Sequence, residues 1–233
     1  MRTSDTAISV SGLGLRTRRG AVYRDITFTA EKHRVTALLG STGTGKTALL
    51  LTLAGRMRAT HGSGSVCGLN LGLDCARIRR CTGLGLVAGV NDLDDALTAG
   101  QHAGETLLFR GGRGETPRSV LSRVGLAEYE RVPVRDLDIE QREYLGIALG
   151  LVGGPKLLVV DDIDHDLSVA QQERVMALLE RIASAGVTVL AACINEHTAR
   201  LASAVVRLEA ARSVAADVAT PDMTETEAEH AVA

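Results

Sequence analysis

Hydrophobic residues along the chain follow two patterns, and each predicts a different kind of strand. In residues 8–15 and 22–29 they alternate with polar residues, and many are β-branched. This is typical of two edge-type strands or of a hairpin. Short, mainly apolar runs bounded by turn residues indicate buried strands instead. We predict such strands at Val35–Leu39, 84–87, Leu157–Val160 and 187–193.

Helical patterns lie between these runs. Residues 47–54 have helix-forming composition up to a stop at Gly55, and residues 140–151 and 169–183 also have helical patterns, the last clearly amphipathic. Alternation of helices with buried strands indicates a parallel sheet covered on both faces, with ligands at the carboxyl ends of its strands. The predicted fold class is therefore α/β.

The periodicity changes between residues 97 and 136, where we predict a small helical insertion. Residues 98–109 and 117–124 have short helical patterns, separated by a glycine-rich breaker at 111–114. The acidic, Ala/Thr-rich segment 215–233 has the composition of a disordered tail. We therefore expect one domain over residues 1–214.

Composition excludes several partner classes. The 26 basic and 28 acidic residues are spread without long blocks of one sign, so we expect no nucleic-acid partner. The four cysteines form no C-x-x-C pair, which argues against a zinc site. No apolar run approaches the roughly 20 residues of a membrane span, and we expect no secretory signal.

A glycine-rich motif follows the strand at Val35–Leu39. It has the pattern G-x-x-x-x-G-K-[ST], in which backbone N–H groups and a helix N-terminus bind phosphate oxygens. Lys46 would contact the β and γ phosphates of ATP, and the Thr47 hydroxyl would bind Mg²⁺. The alternative is a turn that only reverses the chain, with Lys46 in solvent. The predicted loop residues are Gly40, Ser41, Thr42, Gly43, Thr44, Gly45, Lys46 and Thr47.

Two carboxylates follow the strand Leu157–Val160. Asp161 stands where a Walker B aspartate would complete the Mg²⁺ site, and Asp162 follows it directly. Acidic residues after a strand are also common as helix caps. The phosphate loop favours the metal-binding interpretation for Asp161.

The order of these segments from residue 8 to 214 resembles the nucleotide-binding subunit of an ABC transporter. Further matching segments are 23–28 before the loop, 62–66 after it and 153–158 before Asp161. The resemblance implies a P-loop NTPase core, an antiparallel β subdomain at the N-terminal side and a small helical insertion. It also implies a dimer in which two subunits enclose two ATP molecules, each bound by one subunit's phosphate loop and the other's LSGGQ signature.

The chain departs from this family at the signature. That position holds the sequence Leu-Asp-Ile-Glu-Gln at residues 137–141. Asp138 and Glu140 would repel a triphosphate, and Ile139 adds a side chain where the backbone must approach closely. A helix N-terminus with acidic first-turn residues explains the segment better.

Other positions implied by the resemblance also differ. The catalytic glutamate aligns with Asp162, which is one methylene shorter, and the switch histidine aligns with Ile194. His197 is the only nearby histidine, and a surface role suits it better. Three more family residues are replaced in this chain. The coupling glutamine would lie near Gly89, and the aromatic residue that stacks on adenine would lie near Thr17. Ser168 stands at the position of the D-loop aspartate.

Two functions are consistent with the intact phosphate-loop pattern and the altered positions. The first is an ATP-binding subunit that binds Mg-ATP, hydrolyses it slowly and drives a separate transmembrane subunit. It would be cytoplasmic, held at the inner face of the membrane by that partner, and would act as a homodimer or heterodimer. The second is a non-catalytic module whose ATP binding regulates or braces a partner. Asp162 is the candidate catalytic residue in the first case.

Overall fold

The computed structural model describes residues 5–111 and 114–209. Its strands are β1 (Thr6–Thr17), β2 (Gly20–Glu31), β3 (Val35–Leu39), β4 (His61–Val66), β5 (Leu69–Asn70), β6 (Thr82–Leu84), β7 (Leu157–Val160), β8 (Thr188–Cys193) and β9 (Ala204–Arg207). Its α-helices are α1 (Lys46–Leu53), α2 (Cys75–Cys81), α3 (Ala99–Arg110), α4 (Pro117–Ser122), α5 (Ile139–Gly150), α6 (Val169–Ser184) and α7 (Glu196–Arg200).

The strands form two sheets. The antiparallel sheet has the order β2-β1-β4-β5, with β1 and β2 as a hairpin. The second sheet has the order β6-β7-β8-β3-β9, and all of its pairs are parallel. The predicted α/β fold, with a parallel core sheet and an antiparallel sheet on the N-terminal side, is confirmed.

Side chains of the parallel sheet alternate between two cores. On β8, Val189 and Ala191 face the core built with α5 and α6, whereas Leu190 and Ala192 face the core built with α1 and the antiparallel sheet. Every residue of β3, β7 and β8 is buried. Burial on both faces explains why these strands are continuous apolar runs in the sequence.

Two helices, α3 and α4, lie within residues 97–136, and two short 3-10 helices, Ala127–Tyr129 and Val134–Asp136, follow them. This segment packs on α5 and contributes Ala103, Val120 and Leu121 to the same core. No helix in residues 5–111 and 114–209 is long and apolar enough to cross a membrane.

The predicted strand at 84–87 is displaced in the structure. Strand β6 ends at Leu84, because its last ladder partner on β7 is Val159. The chain then turns, held by the Asn91 side chain, which donates to the Gly85 carbonyl at 2.8 Å. Val87 is buried beyond this turn, so its hydrophobicity reflects loop packing. The predicted tail 215–233 lies outside the described residues, and the domain limits 1–214 stay a prediction.

Candidate functional site

The phosphate loop connects the carboxyl end of β3 to the first turn of α1. Gly43 and Gly45 have φ values of +85° and +88°, which L side chains rarely adopt. Gly45 is the N-cap of α1, and no side chain caps this helix end. The first-turn N–H groups of α1 therefore stay available to an anion, as the sequence motif predicts.

Two glycines of the loop also stand too close to other atoms for a side chain. A Cβ on Gly45 would lie 2.6 Å from the Val22 carbonyl oxygen, and one on Gly40 would lie 2.8 Å from the Leu208 carbonyl oxygen. Thr44 is buried, and its hydroxyl donates to the Ser41 carbonyl at 2.9 Å. The loop is thus held in its bend by neighbouring backbone. Its outer face, formed by Ser41, Thr42 and Gly43, is exposed.

Lys46 folds back over the loop from the start of α1. Its Nζ donates to the carbonyl oxygens of Gly40 and Ser41, at 2.7 and 3.2 Å, and the residue is only 5% exposed. A buried ammonium with two carbonyl partners retains one further N–H donor. It is therefore positioned to contact an anion bound by the loop amides.

Thr47 and Asp161 meet at the mouth of the loop. The Thr47 side chain lies beside the Asp161 carboxylate and lowers its pKa. Burial, followed by the nearby Asp162, raises the pKa of Asp161 and outweighs the lowering effects of Thr47 and of Lys46. A bound cation would stabilise the ionised carboxylate.

The protein supplies only part of a metal coordination sphere here. Among the residues that the structure describes, there is no group of three or more His, Cys, Asp and Glu side chains that could hold a metal ion. The Thr47 hydroxyl and the Asp161 carboxylate are oxygen ligands of the kind that Mg²⁺ prefers. They fit an ion whose other ligands are phosphate oxygens and water.

Asp162 is exposed and has a positive φ of 44°, an unusual conformation for a non-glycine residue. Its N–H donates to Asp161 Oδ1 at 3.1 Å. The backbone therefore turns sharply after β7 and directs Asp162 away from the buried core. This placement leaves its carboxylate accessible to water.

Two further acidic residues lie at this edge, although no sequence motif identified them. Asp164 is buried, and its Oδ2 accepts the Ile194 N–H at 2.9 Å and also accepts the Asn195 N–H. Glu143 of α5 has a buried Oε1 without a hydrogen-bond partner in the described structure. Burial, followed by Asp161 and Asp162, raises the pKa of Glu143 to about 8.

The end of β8 places an apolar side chain at the switch position. Ile194 is 44% exposed, and its backbone is fixed by Asp164 as described above. His197 lies on α7, with Nε2 3.2 Å from Glu173 Oε1 of α6. The structure therefore pairs His197 with a surface acid, in agreement with the surface role expected for it.

The signature segment forms the N-terminus of α5. Asp138 Oδ1 accepts the Gln141 N–H at 2.8 Å, and Gln141 Oε1 accepts the Asp138 N–H at 3.0 Å. This reciprocal pair is a capping box. Glu140 accepts two hydrogen bonds from Arg174, at 2.8 and 2.6 Å, and these lower its pKa. The polar side chains of the segment therefore have partners within the chain.

The other altered positions also have local roles. The Gly89 N–H donates to both carboxylate oxygens of Asp92 at 3.0 Å. Ser168 caps α6 in a box with Gln171. Thr17 ends β1, and its hydroxyl donates to the Gly20 carbonyl across the hairpin turn at 3.2 Å. None of these contacts involves the phosphate loop.

A family model described as ABC transporter matches residues 23–165, a range that includes the phosphate loop and Asp161. The chain is 33% identical over 186 residues to the taurine import ATP-binding protein TauB of Pseudomonas aeruginosa, covering 76% of this chain and 66% of that protein. It is also 33% identical over 213 residues to a putative ABC transporter ATP-binding protein of Streptomyces avermitilis, covering 89% of this chain and 37% of that protein.

Solved structures show the same fold. The structure of cbiO1 from Clostridium perfringens, described as part of an ABC transporter complex, superposes with a TM-score of 0.74 at 21% identity, covering 88% of this chain and 86% of that one. The chain spans only 19% and 10% of the length of two larger relatives, from Dictyostelium discoideum and Homo sapiens.

Proposed function

Because the chain belongs to the ABC transporter family of ATP-binding proteins, we propose that it is the ATP-binding subunit of an ABC-type transporter. It binds Mg-ATP through the loop from Gly40 to Thr47 and couples binding and slow hydrolysis to a separate membrane subunit. The meeting of Lys46, Thr47 and Asp161 around uncapped amides of α1 carries this proposal. In this role the protein is cytoplasmic and peripheral at the inner face of the membrane.

Slow hydrolysis follows from the groups around the loop. Asp162 carries the only carboxylate aligned with the catalytic glutamate and is one methylene shorter, and displacement of a catalytic group by about 1 Å costs on the order of 10²-fold in rate. The Ile194 side chain has no hydrogen-bonding atom to offer the γ-phosphate. In the proposed dimer, the partner chain would also present Asp138 and Glu140 to the triphosphate, and both are acidic.

The proposed membrane partner binds beside α3. A cleft of about 340 Å³ lies between Leu84 and the helical insertion, and its lining includes Val90, which is 51% exposed. Leu108 and Phe109 of α3 are 85% and 89% exposed. Leu108 and Phe109 are adjacent in α3, and contiguous exposed apolar side chains mark protein-interaction sites. Replacing both by Ser should release a co-purifying membrane subunit without changing ATP binding.

A second candidate function is a non-catalytic ATP-binding module that regulates or braces a partner. The capping box of Asp138 and Gln141 favours it, because these side chains are satisfied within their own helix. In this case ATP-dependent closure of a dimer would be the functional event, and phosphate release would not be needed.

ATP binding is tested with the purified full chain by calorimetry in Mg²⁺ buffer. We expect binding to the parent protein and its loss in Lys46→Ala, since Lys46 is the cation nearest the loop. Arg131→Ala removes an exposed cation of the helical insertion and should bind as the parent does. Absence of ATP binding in the parent would contradict both candidate functions.

Phosphate release then separates the two candidates. Turnover that is slow but above the Lys46→Ala background, with or without a membrane subunit, supports the transporter ATPase. Turnover equal to that background under both conditions supports the non-catalytic module. Brisk turnover by the isolated chain would contradict the proposed impairment.

A further inference from the structure

A cavity of about 670 Å³ lies at the edge of the parallel sheet opposite the phosphate loop. Its walls come from the antiparallel sheet, the turn before β3 and the segments that precede β7 and β8. Among the lining residues are Lys32, His33 and Lys156, and none of the lining residues that the structure describes is acidic. A cavity of this size suits a small-molecule ligand.

The basic residues of this cavity are distinctive for this chain. The sequence contains only three lysines, Lys32, Lys46 and Lys156, among its 26 basic residues. Lys46 belongs to the phosphate loop, and both others line this cavity. Lysine binds phosphate as a compact point charge with three N–H donors.

Hydroxyl groups add neutral donors around these cations. Thr6, Ser9, Thr29, Ser65 and Thr188 all line the cavity. Thr188 also accepts the His33 N–H at 3.1 Å, which ties the basic turn to the start of β8. His33 has a φ of +57°, and the strain of such a conformation persists where the surrounding structure holds it. The turn is therefore fixed with His33 and Lys32 beside the cavity.

A thiol in the wall does not cancel the positive charge. Burial, followed by the neighbouring Cys81, raises the pKa of Cys67 to about 12, although Lys156 and Lys32 lower it. The thiol therefore stays neutral at physiological pH. An adjoining pocket of about 510 Å³ shares Cys67 and Lys156 and adds Arg77 and Arg80. Arg77 is ion-paired with Asp74 at 3.0 Å, so it is Arg80 that extends the positive charge beyond the first cavity.

We propose that this cavity is a second anion site that binds a small phosphate-bearing molecule through Lys32, Lys156 and the surrounding hydroxyls. The site is separate from the ATP site, because β3 runs five residues between His33 and the phosphate loop, a span of roughly 17 Å. A phosphate ester fills the 670 Å³ cavity better than free phosphate does. Its organic part would contact the uncharged lining residues, such as Ala7, Cys67 and Gly186.

Calorimetric titration of the full chain with fructose 1,6-bisphosphate tests the proposal, with inorganic phosphate and fructose as comparison probes. ATP and Mg²⁺ are kept saturating, so that the phosphate loop is filled. We expect saturable binding of the bisphosphate, no binding of fructose, and weaker binding of inorganic phosphate if an ester is the natural occupant. Equal binding of inorganic phosphate would identify free phosphate as the occupant and support the site in that form.

Matched variants locate the binding. Lys32→Gln with Lys156→Gln should weaken it by more than about tenfold, because two charge-assisted contacts are lost. Arg131→Gln with Arg135→Gln removes the same net charge from exposed positions elsewhere and should leave it unchanged. Thermal unfolding checks that each variant is folded.

A second titration, without nucleotide and in the Lys46→Ala protein, separates the two anion sites. Bisphosphate binding that persists there supports the cavity, even if ATP binding is absent and the proposed function is wrong. The proposal is overturned if neither phosphate probe binds saturably. It is also overturned if binding is lost in Lys46→Ala but kept in the double lysine variant.

Discussion

Single residues of the phosphate loop are distinguished by their surroundings as well as by their backbone angles. Gly43 and Gly45 have nearly the same φ, but a Cβ on Gly43 would meet nothing within 4 Å, whereas one on Gly45 would meet the Val22 carbonyl at 2.6 Å. Gly43→Ala should cost about 1–2 kcal/mol of unfolding free energy through backbone strain alone. Gly45→Ala should cost more and also weaken ATP binding, since the loop must move.

Urea unfolding and ATP titration of the two alanine variants check this ranking. Gly43→Ala is the internal control, because it places alanine at nearly the same φ angle as Gly45→Ala does. Equal losses of stability in the two variants would show that the contact with Val22 does not restrict the loop.

Glu143 gives the protein a defined pH dependence. Its pKa rises from 4.5 to about 8 on folding, so the native state keeps a proton that the unfolded chain releases. The unfolding free energy is therefore unaffected by this group below pH 4.5 and decreases as the pH rises above that value. The decrease reaches its full size above about pH 8. The slope for one such group is on the order of 1 kcal/mol per pH unit.

Glu143→Gln should remove this loss. In Mg²⁺-free buffer, we expect the unfolding free energy of the variant, relative to the parent, to increase steadily from pH 5 to pH 8. Glu105→Gln makes the same change at an exposed position of α3 and should give a constant difference. A constant difference for Glu143→Gln as well would contradict the raised pKa.

The candidate site residues that the sequence predicted lie in continuous motifs. The glycine-rich loop and Asp161 are local patterns that can be recognised without a structure, and their roles stay predictions. Asp164 and Glu143 were missed because their significance depends on contacts between distant segments: Asp164 binds the end of β8, and Glu143 of α5 faces Asp161. No spacing rule in the sequence links these residues.

At the level of single elements, the signature segment is a helix cap. Asp138→Ala should therefore lower the unfolding free energy by about 0.5–2 kcal/mol, whereas Asp138→Ser should preserve it within a few tenths, because serine is also a good N-cap. Chemical unfolding of the two variants provides the measurement. If Ala and Ser cost the same, the hydrogen bonds with Gln141 do not stabilise α5.

The elements that the sequence predicted well are those with strong burial patterns. Strands β3 and β7 were predicted with the observed bounds, and the amphipathic helix α6 within one residue. Helix α2 was missed, since it buries only Ile78 and so has no periodic stripe. Strand β9 was missed because, at the sheet edge, none of its residues is fully buried. Short elements with exposed faces leave little hydrophobic pattern.

For the whole molecule, the altered positions fall into two groups that act on different chains. Asp162 and Ile194 affect the ATP on their own phosphate loop, whereas residues 138–140 would act on the ATP of the partner in the proposed dimer. In a homodimer every ATP therefore meets both kinds of defect. Catalytic groups that act as a unit are strongly non-additive, so repair of one group should leave hydrolysis slow.

Phosphate release by three repaired proteins tests this expectation. Asp162→Glu with Ile194→His, and separately Asp138→Ser with Ile139→Gly and Glu140→Gly, should each stay within about tenfold of the parent rate. The combined variant should exceed the parent by on the order of 10²-fold, since correct positioning and close amide contacts are each worth about that much. Adding Lys46→Ala to the combined variant should abolish the increase in hydrolysis rate. Thermal unfolding checks that loss of the Glu140–Arg174 ion pair has not unfolded α5. A parent rate equal to that of the combined variant would mean that these positions do not limit hydrolysis in this chain.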